Sequence, residues 1–180
     1  MMIAKQTVRR TAIVATLSGT MMFLSACAEQ VPPPVVDSSP VLYRNLESTT
    51  SSIDLQNAAA IISSYRKSKG LGRVVIDPTL VALAQKHATA QARANKVGHS
   101  VGGSFRQRIR AIEDKRGHSV ENVSAGYRSF AQAFSGWRGS KAHNANMLHK
   151  KVTRMGIAKA VNPSSKFKVF WTLILTSDPL

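Results

Sequence analysis

Close to the C-terminus, Phe170, Trp171, Leu173, Ile174 and Leu175 form an apolar run that only Thr172 interrupts. A strand with apolar residues on both of its sides is buried on both faces, so it belongs at the centre of a sheet with cover above and below. Asn162-Pro163-Ser164-Ser165 joins it to a second strand-like run, Met155 to Val161, which reads as a hairpin. The cover must come from upstream helices. Asp54 caps a helix carrying Leu55, Ala58, Ala59, Ile62 and Tyr65, with Gly70 as its stop. Asp77-Pro78 opens a second, with Leu80, Leu83, Ala84, His87, Ala88 and Gln91 at helical spacing and Gly98 as its end. Ser104 caps a shorter one that turns Phe105, Ile109 and Ile112 inward. An extended piece around Val120 to Val123 follows. Ser129 then caps a helix with Phe130, Ala133, Phe134 and Trp137, and Ser140 caps a last one bearing His143 and Leu148. Helices before and between the strands of one antiparallel sheet define a layered α+β domain.

The chain begins as an address. Lys5, Arg9 and Arg10 precede an apolar stretch from Thr11 to Leu24, which closes on Leu24-Ser25-Ala26-Cys27. Small residues before a cysteine resemble the lipobox of bacterial lipoproteins, in which that cysteine is diacylated. Residues 1–26 are therefore expected to be a signal peptide and Cys27 the lipidated residue. Ala28 stands where an aspartate would signal inner-membrane retention in enteric bacteria, which favours the outer membrane, facing the periplasm. Residues 27–52 read as a flexible tether, with Pro32-Pro33-Pro34 and the polar run Ser48 to Ser52, and residues 53–180 as the domain. The alternative is an arm packed on the domain through Val41, Leu42 and Tyr43. Cys27 is the only cysteine, so no internal disulfide can form and the core alone must hold the fold.

The net charge is +16. Export argues against nucleic acid, and no basic motif interleaved with aromatics is visible. Anionic lipid or peptidoglycan is the expected counterpart, through non-specific electrostatics. The densest basic stretch, Arg106, Arg108, Arg110, Lys115 and Arg116, with Lys150, Lys151 and Arg154 beyond, reads as a solvated surface, a specific binding patch being the alternative.

His99, Glu121 and His143 are the candidate site. Two imidazoles and a carboxylate can hold a divalent metal, zinc among them, or share a proton. Asn122, Ser140 and Asn146 are candidate cleft residues around them. His118, three residues before Glu121, reads as surface, with a place in the cleft as a fourth ligand the alternative. His87 reads as a packing residue, His149 as surface, and Trp137 and Trp171 as core.

These segments in this order resemble the CAP superfamily (cysteine-rich secretory proteins, antigen 5 and pathogenesis-related 1), and in particular its bacterial SCP-like branch. The resemblance spans Asp54 to Thr176. It rests on Tyr65-Arg66, Gly70-Leu71, Asp77 to Leu80, Ala84, His87-Ala88, His99, Phe105 with Arg108-Ile109, and Glu121-Asn122-Val123 with Gly126. Trp137, Ser140, His143, Asn146-Met147-Leu148, Met155-Gly156-Ile157-Ala158 and Phe170-Trp171-Thr172 complete it. It implies a three-layer α-β-α sandwich, with a cleft where His99, Glu121 and His143 match the family's two histidines and one of its acids. Many eukaryotic members supply a second acid; here none occurs between Glu121 and Asp178. The bacterial Gly-His-Arg pattern is replaced by Ala142-His143-Asn144, and the eukaryotic disulfides are missing. The expected function is that of an envelope lipoprotein binding a small lipid-like or anionic ligand without catalysis. The alternatives are a hydrolase using a metal or Glu121, and a structural protein binding peptidoglycan or anionic lipid. The oligomeric state is left open.

Overall fold

The computed structural model describes residues 39–110 and 117–177. The expected signal peptide, Cys27, the proline run, Ile112, Lys115, Arg116 and Asp178 lie outside them.

The helices form where cap and periodicity coincide. In α1 (Leu55–Lys67) the Asp54 carboxylate accepts the Asn57 N–H, and in α2 (Pro78–Ala94) Asp77 accepts those of Thr79 and Leu80. Gly98 does not end α2. Asn95 does so four residues after Gln91, in the left-handed conformation (φ 49°). Helix α3 (Phe105–Ile109) carries a full capping box between Ser104 and Gln107. Ser129 caps α4 (Phe130–Gly139). Ser140 occupies the cap position of α5 (Lys141–Met147), but its side chain makes no capping hydrogen bond.

Four strands form one sheet in the order β1-β3-β4-β2: β1 Val75–Ile76, β2 Ser119–Ala125, β3 Arg154–Val161 and β4 Val169–Thr176. Every residue of β4 is buried, as expected of a central strand. The sheet is mixed rather than antiparallel, because β1 runs parallel to β3. Two residues give too short a pattern for β1 to be read from sequence.

Strand alternation divides the core in two. Met155, Ile157, Trp171, Leu173 and Leu175 face Ala58 and Ile62 of α1, Trp137 of α4 and Met147 of α5. Ala158 and Ile174 face Leu80 and Ala84 of α2 and Ile109 of α3. The result is the three-layer sandwich. Helix α2 lies directly on β3 at Gly156, where an added Cβ would collide with the Leu80 carbonyl carbon. Trp137 and Trp171 pack edge to face in the core, 6.5 Å apart.

The domain starts earlier than residue 53. The Leu46 side chain is buried, and its backbone N–H donates to the Arg128 carbonyl. The Lys159 ammonium donates to Leu46 O (2.8 Å), Ser48 O (2.7 Å) and Ser51 Oγ (2.8 Å). Residues 46–51 are thus a clasped arm, not a tether. Leu42 packs on the core while Tyr43 stays exposed, so the alternative of a packed arm holds for part of its predicted contact.

Candidate functional site

The site forms along β2, an edge strand of the sheet. Successive residues of β2 point to opposite faces, so Glu121 and Asn122 serve opposite layers. Glu121 pairs with Ile174, on the face of α2, and Asn122 with Leu173, on the face of α5.

Glu121 is buried, with both carboxylate oxygens engaged. His99 Nδ1 lies 2.9 Å from Oε1, and an Arg108 guanidinium nitrogen donates to Oε2 at 2.7 Å. Arg108 also donates to the carbonyls of His99 (3.0 Å) and Gly103, tying the 99–103 loop to the carboxylate. A buried carboxylate needs such a partner; without one, desolvation would neutralise it. Behind this pair His87 is fully buried, its Nε2 3.8 Å from Glu121 Oε2 and its ring beside the Gly98 backbone. Burial lowers its pKa, an effect the Glu121 charge opposes and Arg108 reinforces. His87 is therefore more than a packing residue: it is the floor of the site.

On the other side, Asn122 Nδ2 donates to the His143 carbonyl (3.0 Å). Asn146 Nδ2 donates to Glu121 O (3.0 Å) and Asn122 Oδ1 (2.9 Å). These bonds fix α5, and with it His143, against β2. Asn144 accepts from the Tyr65 hydroxyl at 2.8 Å, which anchors α5 to α1 as well. His143 is half-buried; burial first and then the nearby His99 hold its pKa below the ordinary imidazole value. More than half of the His99 side chain is exposed (54 %), so its Nε2 edge is open to a ligand.

His99, Glu121 and His143 therefore share one locality, with Asn122 and Asn146 supporting it. His118 does not join them. It meets Lys151 Nζ at 2.7 Å and stacks at 5.4 Å on His149, and its backbone pairs with Ser177 past the end of β4. It cannot supply a fourth ligand. Arg108 does not belong to the expected basic surface: it turns inward to Glu121, and its spacing from Phe105 on the inward face of the helix is the sequence signal for that. Arg154 also leaves the surface set, since it pairs with Asp77 at 2.6 Å.

A three-ligand metal set including Glu121 does not fit this arrangement, because both oxygens are occupied and one faces a cation. No three His, Cys, Asp or Glu side chains are grouped for a metal among the described residues. What remains is two imidazoles, with Glu121 behind His99 in the place of an outer carboxylate.

The model of the cysteine-rich secretory protein (CAP) family matches residues 60–175. The chain belongs to the CAP family. Its fold is similar to that of an extracellular SCP-domain protein of Bacillus anthracis, at TM-score 0.59 and 20% identity over 69% of this chain and 40% of that one. It is also similar to an outer surface protein of Borrelia burgdorferi, at TM-score 0.60 and 18% identity over 72% of this chain and 98% of that one. A cysteine-rich secretory protein of Staphylococcus aureus aligns at TM-score 0.51 and 20% identity, over 69% and 38% of the two chains. The CAP chain thus spans well under half of the Bacillus and Staphylococcus proteins. At these identities the likeness is one of fold. A comparison with curated proteins found no match.

Proposed function

We propose that this CAP-family chain is an exported, non-enzymatic binding module whose His99–Glu121–His143 edge receives a small anionic ligand of the cell envelope. The observation that carries this reading is the double engagement of Glu121. A carboxylate paired with Arg108 at 2.7 Å is a poor general base, and no free acid stands beside it among the described residues. Arg108 balances Glu121, so no net negative charge stands at this edge to repel an anion. Export is supported by the first 26 residues and by the extracellular and surface proteins that share the fold. Anchoring through a lipid on Cys27, outer-membrane placement and a general attraction to anionic lipid or peptidoglycan belong to the same proposal.

One observation favours a second reading. His99 Nδ1 on Glu121 is the orientation that readies an imidazole Nε2 to take a proton from water, as a hydrolase would need. A divalent metal would be held by His99 and His143, where it would supply a Lewis acid; neither reading depends on it.

The test uses the full chain and its imidazole resonances. Titration with phosphatidylglycerol vesicles and with soluble peptidoglycan fragments should shift the His99 and His143 signals saturably, with the added material recovered intact. Turnover of an ester or peptide that disappears in Glu121→Gln would replace this reading with the hydrolase. Zinc calorimetry on wild type, His99→Ala and His143→Ala tests the metal separately.

A further inference from the structure

A cavity of about 670 Å3 lies away from this site. It lies across α2 from His87, between the outer side of α2, the outer edge of β3 and the clasped arm. Its walls include Val81, Gln85 and Thr89 on one side and Ser51 and Ile53 on the other, with Lys159 to Val161 along its base.

Two independent features of this groove point to the same occupant. The first is an unfinished strand edge. Strand β1 covers β3 only at Arg154 and Met155, with Thr153 O and Met155 O accepting from Val75 and Asp77. By strand alternation, the backbone groups of Lys159 and Val161 point to that same side. Gln85 Nε2 takes the Lys159 carbonyl at 3.0 Å. Among the described residues no hydrogen bond on this side takes the Lys159 N–H or the N–H and carbonyl of Val161. Exposed edges of this kind accept an added strand.

The second is charge without a counter-charge. Lys159 is buried (8 % exposed), and its ammonium bonds only to neutral oxygens, one of them the groove residue Ser51. Burial lowers its pKa to about 8. Arg93, also on the groove, makes no ion pair among the described residues. No acid lines the groove, and the four acids of the described residues are engaged elsewhere. Glu47 holds Arg128, Asp54 caps α1, Asp77 holds Arg154 and Glu121 holds Arg108.

We infer that this groove binds a short, extended acidic peptide, which adds as a strand beside Lys159–Val161 and sets carboxylates near Arg93 and Lys159. The apolar side chains between its acids rest on Val81 and Ile53. This site is separate from the His99 edge and does not depend on the reading given to it.

The test is calorimetry of the full chain with acetyl-Glu-Val-Glu-Val-Glu-amide, its lysine counterpart, and a version with both valines replaced by proline. The acidic peptide should bind saturably and weaken with salt. The lysine peptide should not bind, and the proline version, which loses two backbone donors, should bind at least tenfold more weakly. Val81→Trp, which fills the groove without touching the clasp, should weaken the acidic peptide at least tenfold, and Arg93→Gln severalfold. The amide resonances of Lys159 and Val161 should move on binding while the His99 and His143 imidazoles stay still. Equal affinity in wild type and Val81→Trp would overturn the inference. So would equal affinity for the proline version, no binding by a chain shown to be folded, or octanoate saturating the groove and excluding the peptide.

Discussion

At the scale of single residues, the buried charges decide most. Arg108 and Glu121 are each other's charge compensation, and the loss of Arg108 leaves the Glu121 carboxylate buried with only the His99 imidazole on it. Arg108→Met should destabilise the fold by about 3 kcal/mol in urea unfolding, the usual cost of breaking a buried pair. Arg108→Met combined with Glu121→Gln should recover part of that loss, because no orphaned charge remains. Lys159 makes a prediction of opposite character. Its folded pKa, about 8, lies below the ordinary 10.5, so between these values the unfolded chain holds more protons than the folded one. Stability from this group therefore rises with pH across that window, and its charge is most costly below pH 8. Measured against Lys159→Met, which does not titrate, the wild type should gain relative stability from about pH 8 to 10.5. A flat difference would show that the three oxygen acceptors fully replace water around the ammonium.

At the scale of elements, α2 and α3 set the geometry of the edge site by different means. Helix α2 is held by close approach: at Gly156 its backbone sits where any side chain would be. Gly156→Ala should cost more than about 3 kcal/mol, beyond ordinary overpacking, because the obstacle is backbone rather than a mobile side chain. Five residues give α3 almost no stability of its own, so it depends on its capping box. Ser104→Ala should cost about 1 kcal/mol. It should also broaden the His99 resonance, since Arg108 carries the link from α3 to the 99–103 loop. Cap chemistry and periodicity made both helices readable in sequence. The end of α2 was not readable, because an asparagine in the left-handed conformation stops it before the glycine that would conventionally do so.

At the scale of the whole molecule, the arm is part of the domain. A chain beginning at Ile53 loses Leu46 and every acceptor of the Lys159 ammonium. Such a truncation should unfold at lower urea concentration than a chain beginning at Ser39, by several kcal/mol, and should bind a dye specific for exposed apolar surface. Equal stability of the two would mean that the clasp adds nothing. A composition-based boundary misses this, since Ser48 to Ser52 looks like linker until the lysine that gathers its oxygens is found 111 residues away.

The sequence alone determined what local chemistry determines. Asp54, Asp77, Ser104 and Ser129 set helix starts through a hydrogen bond within three residues, and the apolar run from Phe170 to Leu175 required a covered central strand. The order of motifs was sufficient for the CAP resemblance and for bringing His99, Glu121 and His143 into one locality. Tertiary structure alone decided what depends on partners distant in the chain. It paired Glu121 with Arg108, placed His87 beneath them, drew His118 away to Lys151 and left the edge of β3 open beside an uncompensated Lys159. Hydrogen bonds that close short loops leave a signature in adjacent residues. A buried charge finds its partner only once the chain has folded, and no spacing in the sequence records which partner that is.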